Sequence, residues 1–460
     1  MALMACACAW ALTTDGQAYE PVNGIKIANQ WIFDRVHSGT SYTTSAICNQ
    51  RARTATMADG VVYVARSEEK TVVVGTDTIS QSVIHRFNVA DGTALPDLDL
   101  TLNGAPYGTF LGVTSIGKDN FGHIWVAPMT SNVSTKIPVY MVNTQTGELT
   151  LITHMDKAEA PQRTDYLDIV GDITLEKAEC TMMTVAGSTA DPGFPTVYCW
   201  RADKGAAPDE WEGGFEGDAY IDFTDFYPET KTGFSLAPVI KIVLGEDEDS
   251  RYSGELFYID CFDGAPVLYS KDGSLIDSFE SVEWDLRPQN QPNGCAEFAL
   301  DGRNFLVYTI ADMNGEGHGC QANICELGEG MAFEGMTKYW QVPADSLGKV
   351  NDSGLRVHCF ATETGIENGE EVVTLLTFKA YNGMAVYKIG KNVQGNDNPG
   401  YKQGDVNGDG EVDVNDVNIL INIVLGKDDA AKYEGRANVD GAGDVDVTDA
   451  NTLINLVLGK

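Results

Sequence analysis

The chain has 460 residues, with 31 basic against 67 acidic side chains and a net charge of −36. That length allows two or three domains, or one large domain with a small appendage. So acidic a balance excludes nucleic acid as a partner, since phosphates need basic patches, and it suits a protein working outside the cell in calcium. Six scattered histidines form no HExxH pair, which argues against a zinc hydrolase.

Residues 1–22 open with Met1-Ala-Leu3-Met4-Ala5-Cys6-Ala-Cys8-Ala-Trp-Ala-Leu12, a short apolar run with no basic residue before Lys26. A secretory signal begins with a charged segment and carries a longer apolar core, so this stretch is expected to be a truncated or atypical leader. Leu3-Met4-Ala5-Cys6 approaches a lipoprotein cleavage box, which would place a lipid anchor on Cys6. The alternative is an apolar first strand. No other run approaches the ~18 apolar residues of a spanning helix, so no membrane span is expected.

Residues 23–391 read as β-strands, with period-two apolar runs ended by Asp-Gly, Asn-Gly and Thr-Gly turns. One phrase sets a turn before an apolar strand: Asp59-Gly-Val-Val-Tyr-Val-Ala, Asp119-Asn-Phe-Gly122-His-Ile-Trp125-Val-Ala and Asp301-Gly-Arg-Asn-Phe-Leu-Val-Tyr. A second phrase, as in Val139-Tyr-Met-Val-Asn-Thr-Gln-Thr-Gly147, follows with a strand, a glycine turn and another strand. Units of this kind start near residues 54, 110, 166, 235, 294 and 355. Such spacing, with four strands per unit, resembles a β-propeller of about six blades. The apolar run Ile25 to Phe33 is placed to complete the last blade and remove the open edges. A pair of β-sandwiches is the rival arrangement.

Eight cysteines lie beyond the leader: Cys48, Cys180, Cys199, Cys261, Cys295, Cys320, Cys325 and Cys359. An even number permits disulfides without fixing their pairing. Cys320 and Cys325 are spaced to close a small loop or to remain thiols. His318 beside them invites a metal reading, but no second ligand pair follows at zinc-finger spacing. For chemistry, Asp209-Glu-Trp211-Glu-Gly-Gly-Phe215-Glu-Gly-Asp-Ala-Tyr220-Ile-Asp-Phe-Thr-Asp-Phe-Tyr227 interleaves acids with aromatics, as a glycan site would, or is an acidic loop before a strand over Ala219 to Phe226. Asp165, Asp168 and Asp172 form another acidic cluster ahead of a strand, with an ordinary turn as the alternative. Glycoside hydrolysis needs two carboxyl groups that distant positions can supply. No Gly-x-Ser-x-Gly elbow, sialidase Asp box or phosphate-binding glycine loop is present.

Residues 392–403 belong to a polar Gly/Asn/Pro linker. The final segment, 404–460, carries the sharpest signal. Asp405-Val-Asn407-Gly-Asp409-Gly410-Glu411-Val412-Asp413-Val-Asn-Asp416 sets side-chain oxygens at loop positions 1, 3, 5, 9 and 12, with glycine at 6. Alternate residues of a tight loop point inward, which suits a hard cation needing six to eight oxygens. Glu411, at position 7, would give its backbone carbonyl, and Val412 would point into the small core. A helix follows from about Asn415 to Leu425, with Val417, Leu420, Ile421, Val424 and Leu425 as its stripe and Gly426 as its cap. The arrangement repeats 33 residues later: Asp413 answers to Asp446, Asp416 to Asp449, Leu420 to Leu453 and Gly426 to Gly459. Two helices this short need each other's apolar faces, and their thin core needs metal.

Gly404-Asp-Val-Asn-Gly-Asp-Gly410, aspartate at position 12 of both loops, and Leu-Gly closing both helices give the last eighth of the chain a resemblance to the dockerin domain. The likeness implies calcium at two sites and a cohesin-type protein partner. It implies Asp405, Asn407, Asp409, Asp413 and Asp416 as side-chain ligands of the first ion. The second loop departs from the pattern, with Asn438 at position 1 and Ala442 at position 5. Asn438, Asp440, Asp446 and Asp449 remain, with the Asp444 carbonyl, so the second site is expected to be weaker. Partner-facing positions 10 and 11 hold Val414 and Asn415, then Val447 and Thr448, in place of the paired hydroxyls of clostridial dockerins. The alternative to docking is a calcium-clamped terminal cap.

The chain as a whole is therefore expected to be mainly β, a propeller with a small all-α calcium module, acting outside the cell or at its surface. The leading expectation is a glycan- or protein-binding propeller docked through its C-terminal module. The alternatives are a polysaccharide hydrolase or lyase with its site in the propeller, and a surface adhesion or structural protein.

Overall fold

The computed structural model describes residues 14–15, 17–34, 52–66, 70–108, 112–130, 136–156, 163–174, 180–187, 196–203, 206–215, 220–222, 239–243, 256–260, 265–270, 273–288, 294–310, 320–344, 346–348, 358–380, 382–394, 404–407, 412–433, 436–439 and 445–458. The expected lipid-anchor residue Cys6, and His318 beside the cysteine pair, lie outside these.

Among the described residues, six sheets of four or more strands follow one another along the chain, antiparallel except where Thr101–Leu102 pairs parallel with the strand at Glu148. Their innermost strands are Ala52–Ala58, Val113–Lys118, Arg163–Gly171, Val239–Val243, Cys295–Leu300 and His358–Glu367, which define blades 1 to 6. Each inner strand lies against the next, and the last lies against the first, so the ring is closed. The blade starts fall within a few residues of those expected from the repeated phrases. The Asp-Gly phrases are the hairpin turns between inner and second strands. Asp59 and Gly60 have φ of 51° and 73°, and Asp301 and Gly302 have 56° and 71°. Both central residues are left-handed, the turn whose twist matches flanking strands and which Asp-Gly tolerates best.

An inner strand is covered by a neighbouring blade on each side, so most of its residues are buried on both faces, polar ones such as Thr54, Thr56 and Asp165 included. The core is accordingly divided into six inter-blade layers. Trp31, Met57, Phe378 and Val386 pack between blades 6 and 1, while Ile240, Phe257, Val197 and Phe215 pack between blades 3 and 4. Cys320 and Cys325 belong to different layers, between blades 5 and 6 and between blades 4 and 5. They do not close a small loop, because successive positions of an extended chain face opposite sides and the two are an odd number of residues apart. Cys295, Cys325 and Cys359 are free thiols.

Blade 6 is completed from the other end of the chain. Lys26–Asp34 pairs antiparallel with Gly383–Gly390, from Lys26 opposite Gly390 to Asp34 opposite Gly383. The folded region extends past the boundaries expected at both of its ends. Upstream, the buried Asp15 carboxylate accepts hydrogen bonds from the Tyr19 hydroxyl at 2.6 Å and the Tyr387 hydroxyl at 2.9 Å. The Trp340 indole donates to Glu20 O at 2.9 Å. Asp15, Tyr19 and Glu20, within the stretch expected as a leader or an apolar first strand, thus bond to the propeller. Downstream, Val393 is buried and Gln394 O accepts from Gln30 Nε2 at 3.0 Å, so the first residues of the expected linker also pack on blade 6.

Blade 1 carries an added hairpin, Lys70–Val74 with Asp77–Gln81, between its second and third strands. The C-terminal module contains α1 (Val414–Val424) and α2 (Val447–Val457), which contact each other over a core of Val406, Val417, Leu420, Ile423, Val439, Ala450 and Leu453. The buried stripe of α1 differs from the one expected from spacing. Ile423 is inside, while Ile421 and Leu425 are exposed. Asp416 and Val417 set the inward direction, and a position four residues past Val417 lies at the edge of that stripe.

Asp15→Ala leaves two buried tyrosine hydroxyls without their acceptor. A loss of about 2 kcal/mol is expected, read from the midpoint of denaturant unfolding. An unchanged midpoint would show that the segment does not hold blade 6.

Candidate functional site

The six inner strands enclose a channel cavity of about 1110 Å³. Its polar groups come from different blades. Lys118 ends the inner strand of blade 2 and reaches Glu363 of blade 6, with Nζ 2.9 Å from Oε1. Asp168 of blade 3 pairs with Lys241 of blade 4 at 3.1 Å, and its second oxygen accepts Ile242 N at 3.0 Å. On blade 5, Glu297 accepts a short hydrogen bond from the Tyr258 hydroxyl of blade 4. Exposed Phe121 stands among the lining residues in the turn after Lys118.

The electrostatics of these groups diverge although they share one cavity. Burial pulls Lys118 below its ordinary range, with Glu363 opposing. Burial also acts to lower Lys241, but the charge and hydrogen bond of Asp168 more than offset it and hold that ammonium above its usual value. Burial pushes the Glu297 carboxyl up to about 7, against the lowering effect of the Tyr258 hydroxyl. Tyr258 is itself raised well above the usual phenol range, first by burial and then by the adjacent Glu297. Cys359 is pushed up to about 11 by burial, so that thiol stays protonated at neutral pH.

Of the acids singled out in the sequence, Asp168 alone joins this group. Asp165 and Asp168 sit inside the inner strand of blade 3 and not in a turn ahead of a strand. Asp172 lies beyond it, where Thr174 N donates to Oδ1 at 2.9 Å. His123 Nδ1 lies 2.7 Å from Asp119 Oδ2 and 3.6 Å from Asp172 Oδ1. That trio has metal-ligand residue types, but Asp119 already accepts from the backbone N–H groups of Phe121, His123 and Ile173 at 2.8–2.9 Å. It serves as a clasp between blades 2 and 3. In the acid–aromatic stretch, Phe215 is core between blades 3 and 4 and Trp211 packs on the layer between blades 2 and 3. Phe215 is buried and Trp211 partly so, and Phe223 to Tyr227 lie outside the described residues. Sequence reasoning missed Lys118, Lys241, Tyr258, Glu297 and Glu363. Each belongs to a strand with no local motif around it, and only ring closure brings them together.

In the C-terminal module, Asp405 and Asp416 are 1 % and 0 % exposed. Asp416 joins loop to helix: its oxygens accept Asn407 N at 3.0 Å and Asp413 N at 2.9 Å. Asp413 caps α1, accepting Asn415 N at 2.7 Å. Asp449 and Asp446 repeat this at α2, with Asp446 N donating to Asp449 at 2.8 Å and Thr448 N donating to Asp446 at 2.6 Å. Both helices therefore start on a full capping box. The Asp446 carboxyl is held below its usual range by its hydrogen bonds from Thr448. Asp409, Glu411, Asp440 and Asp444 lie outside the described residues.

Among the described residues no lysine or arginine pairs with Asp416, although its carboxylate is fully buried. A buried anion in a loop of Asp and Asn oxygens fits a hard divalent cation, which would supply the missing charge. Residues 403–458 match the dockerin type I domain family. Dockerin domains of this type bind calcium, and Asp405, Asn407, Asp413 and Asp416 are the described residues of loop 1 that would hold it. Asn438, Asp446 and Asp449 are those of loop 2. The dockerin helices each begin on an exposed valine, Val414 and Val447, both 61 % exposed. Gly426, at φ 66°, ends α1 in the left-handed turn that its position after Leu425 suggested.

No curated protein sequence matches the chain. Over the propeller, the chain is similar to a DUF4623 family protein from Bacteroides eggerthii, at a TM-score of 0.53 and 11% identity, covering 83% of this chain and 76% of that one. That likeness shows the fold alone. A structural genomics protein of unknown function from Bacteroides thetaiotaomicron has a TM-score of 0.41 at 12% identity, covering 74% of this chain and 70% of its own. An alpha-L-arabinofuranosidase from Fusarium graminearum has 0.38 at 9%, covering 59% and 79%. These two superpose too loosely to carry an argument.

Chelation of calcium from the full chain should remove the helical circular-dichroism signal and leave the β signal. Asp405→Ala should weaken calcium uptake more than Asn438→Ala, and equal losses by calorimetry would contradict the ranking of the loops. In the channel, Tyr258→Phe removes the hydroxyl that favours ionised Glu297. The Glu297 carboxyl should then titrate higher than about 7 in carboxyl-labelled NMR, and a lower value would contradict its placement.

Proposed function

We propose that this is an exported binding protein whose propeller holds a glycan in the central channel and whose dockerin attaches it, with calcium bound, to a cohesin-type partner. The observation that carries the reading is a large channel, lined by paired lysines and carboxylates from different blades, in a chain that ends in a dockerin. Paired charges of this kind present donors and acceptors together, as sugar hydroxyls require. Exposed Phe121 offers an apolar face at the same cavity. The exposed valines at the start of α1 and α2 supply apolar contact to the docking partner, and buried Asp405 and Asp416 make that surface depend on calcium. The acidic surface and the absence, among the described residues, of a helix long and apolar enough to cross a membrane accord with work outside the cell or at its surface.

A second reading, hydrolysis of a polysaccharide, is favoured by one observation. Glu297, raised to about 7, shares the channel with the ion-paired Asp168. Carboxyl groups in contrasting surroundings are what acid and base roles require.

Depletion of the full chain from solution by a panel of insoluble plant and host polysaccharides, with release of reducing ends measured alongside, separates the readings. Retention without cleavage, lost in Lys241→Met, is expected. Cleavage that disappears in Glu297→Gln would replace binding with hydrolysis as the function. For the dockerin, retention on immobilised cohesins should disappear with chelator. Calcium-independent retention would refute the docking role.

A further inference from the structure

Glu297 stands apart from the other channel acids. Asp168 and Glu363 are neutralised by Lys241 and Lys118 at 3.1 Å and 2.9 Å. Among the described residues no lysine, arginine or histidine pairs with Glu297. Its Oε1 accepts from Tyr258, the one hydrogen bond of this carboxyl among the described residues, and Glu297 lines the cavity. The titratable groups around it are Tyr258 on the second strand of blade 4, with Asp277 beyond it, and Lys241 on that blade's inner strand, held by Asp168. On its own strand stands Cys295, whose thiol is raised well above the usual range by burial and then by Asp260. None of these neutralises a charge on Glu297.

Resting on the reading of the channel as the ligand site, we propose that Glu297 determines specificity there by meeting its ligand as a neutral carboxylic acid. Its Oε2–H donates to an oxygen that can only accept, the ring or bridging oxygen of an uncharged saccharide. The channel has acceptors in Asp168 and Glu363 for sugar hydroxyls, and each lysine holds its carboxylate through one contact and keeps N–H groups beyond it. Those ammonium groups are fixed in place by their carboxylates, whereas the Glu297 carboxyl is not bound by a cation among the described residues. An anionic ligand would have to draw a lysine from its partner and strand a desolvated carboxylate, which is strongly unfavourable. With Tyr258 holding Oε1, the acid proton is directed to Oε2, toward the cavity. The carboxyl is pushed up to about 7 by burial, so the donor form is present below that pH and is lost above it.

The test is calorimetric titration of the calcium-loaded full chain with neutral gluco-, xylo- and arabino-oligosaccharides between about pH 5 and 9. Affinity should hold below about 7 and then fall about ten-fold per pH unit. Glu297→Gln is close in size to the native residue and keeps a donor at every pH, so its affinity should be flat across the range. Proton uptake on binding near neutral pH, read from the dependence of the heat on buffer ionisation, should vanish in the same variant. Affinity that is flat or rises with pH in the native protein, or that declines equally in Glu297→Gln, overturns the proposal. Binding confined to uronic-acid oligosaccharides and lost in Lys241→Met overturns it while leaving the channel as the site. Saccharide binding indifferent to both Lys241→Met and Glu297→Gln overturns the channel reading itself.

Discussion

The pairing of Lys26–Asp34 with Gly383–Gly390 is the constraint on which the rest of the propeller depends. Each blade buries its apolar faces only against its neighbours, so six inter-blade layers exist together or leave two sheet faces in water. Closure removes those faces. The carboxylate of Asp15, bonded to Tyr19 and Tyr387, fastens the closing segment from its N-terminal side. Polar links then carry the ring inward. Thr54 of blade 1 donates to Thr114 O of blade 2 at 2.8 Å, Thr114 donates to Asp165 O of blade 3 at 3.2 Å, and Asp168 accepts Ile242 N of blade 4.

The same links decide what the channel is. Inner strands expose few side chains to it, and the charged ones are met by partners from other blades. Lys118 and Glu363 reach past blade 1 to do so. A protein carrying a net charge of −36 therefore keeps a centre in which most described charges are matched. Ligand recognition there depends on hydrogen-bond geometry more than on attraction at a distance, since paired charges cancel beyond a few ångströms.

Local signals were the legible ones. Asp59-Gly60 and Asp301-Gly302 announce left-handed turns, the runs around Val62, Trp125 and Leu306 announce buried strands, and their spacing gives the blades. The dockerin was legible because its Asp, Asn and Gly pattern falls within twelve positions of one turn-and-helix unit. Glu297 and Lys241 were not, since an isolated charge within a strand looks the same whether it faces solvent, a neighbouring blade or the channel. Their partners lie on other strands, and no local pattern encodes that pairing. The α1 stripe shows a milder limit. Spacing identifies an amphipathic helix, but the buried capping aspartate, Asp416, is what fixes which edge turns inward. Trp211 and Phe215 show the converse: aromatic residues among acids suggested sugar stacking, yet the blades use them as filling.

Closure also imposes an order on biosynthesis. Lys26 and Gly390 are paired across nearly the whole length of the propeller, so the first strand made must wait for the last before blade 6 exists. Contacts this distant in sequence form slowly. At synthesis rates of about 5–20 residues per second, the dockerin that follows Gln394 emerges within seconds of the closing partner. The dockerin is thus made after the whole propeller, and its helices emerge only once the chain contains everything needed to shut the ring.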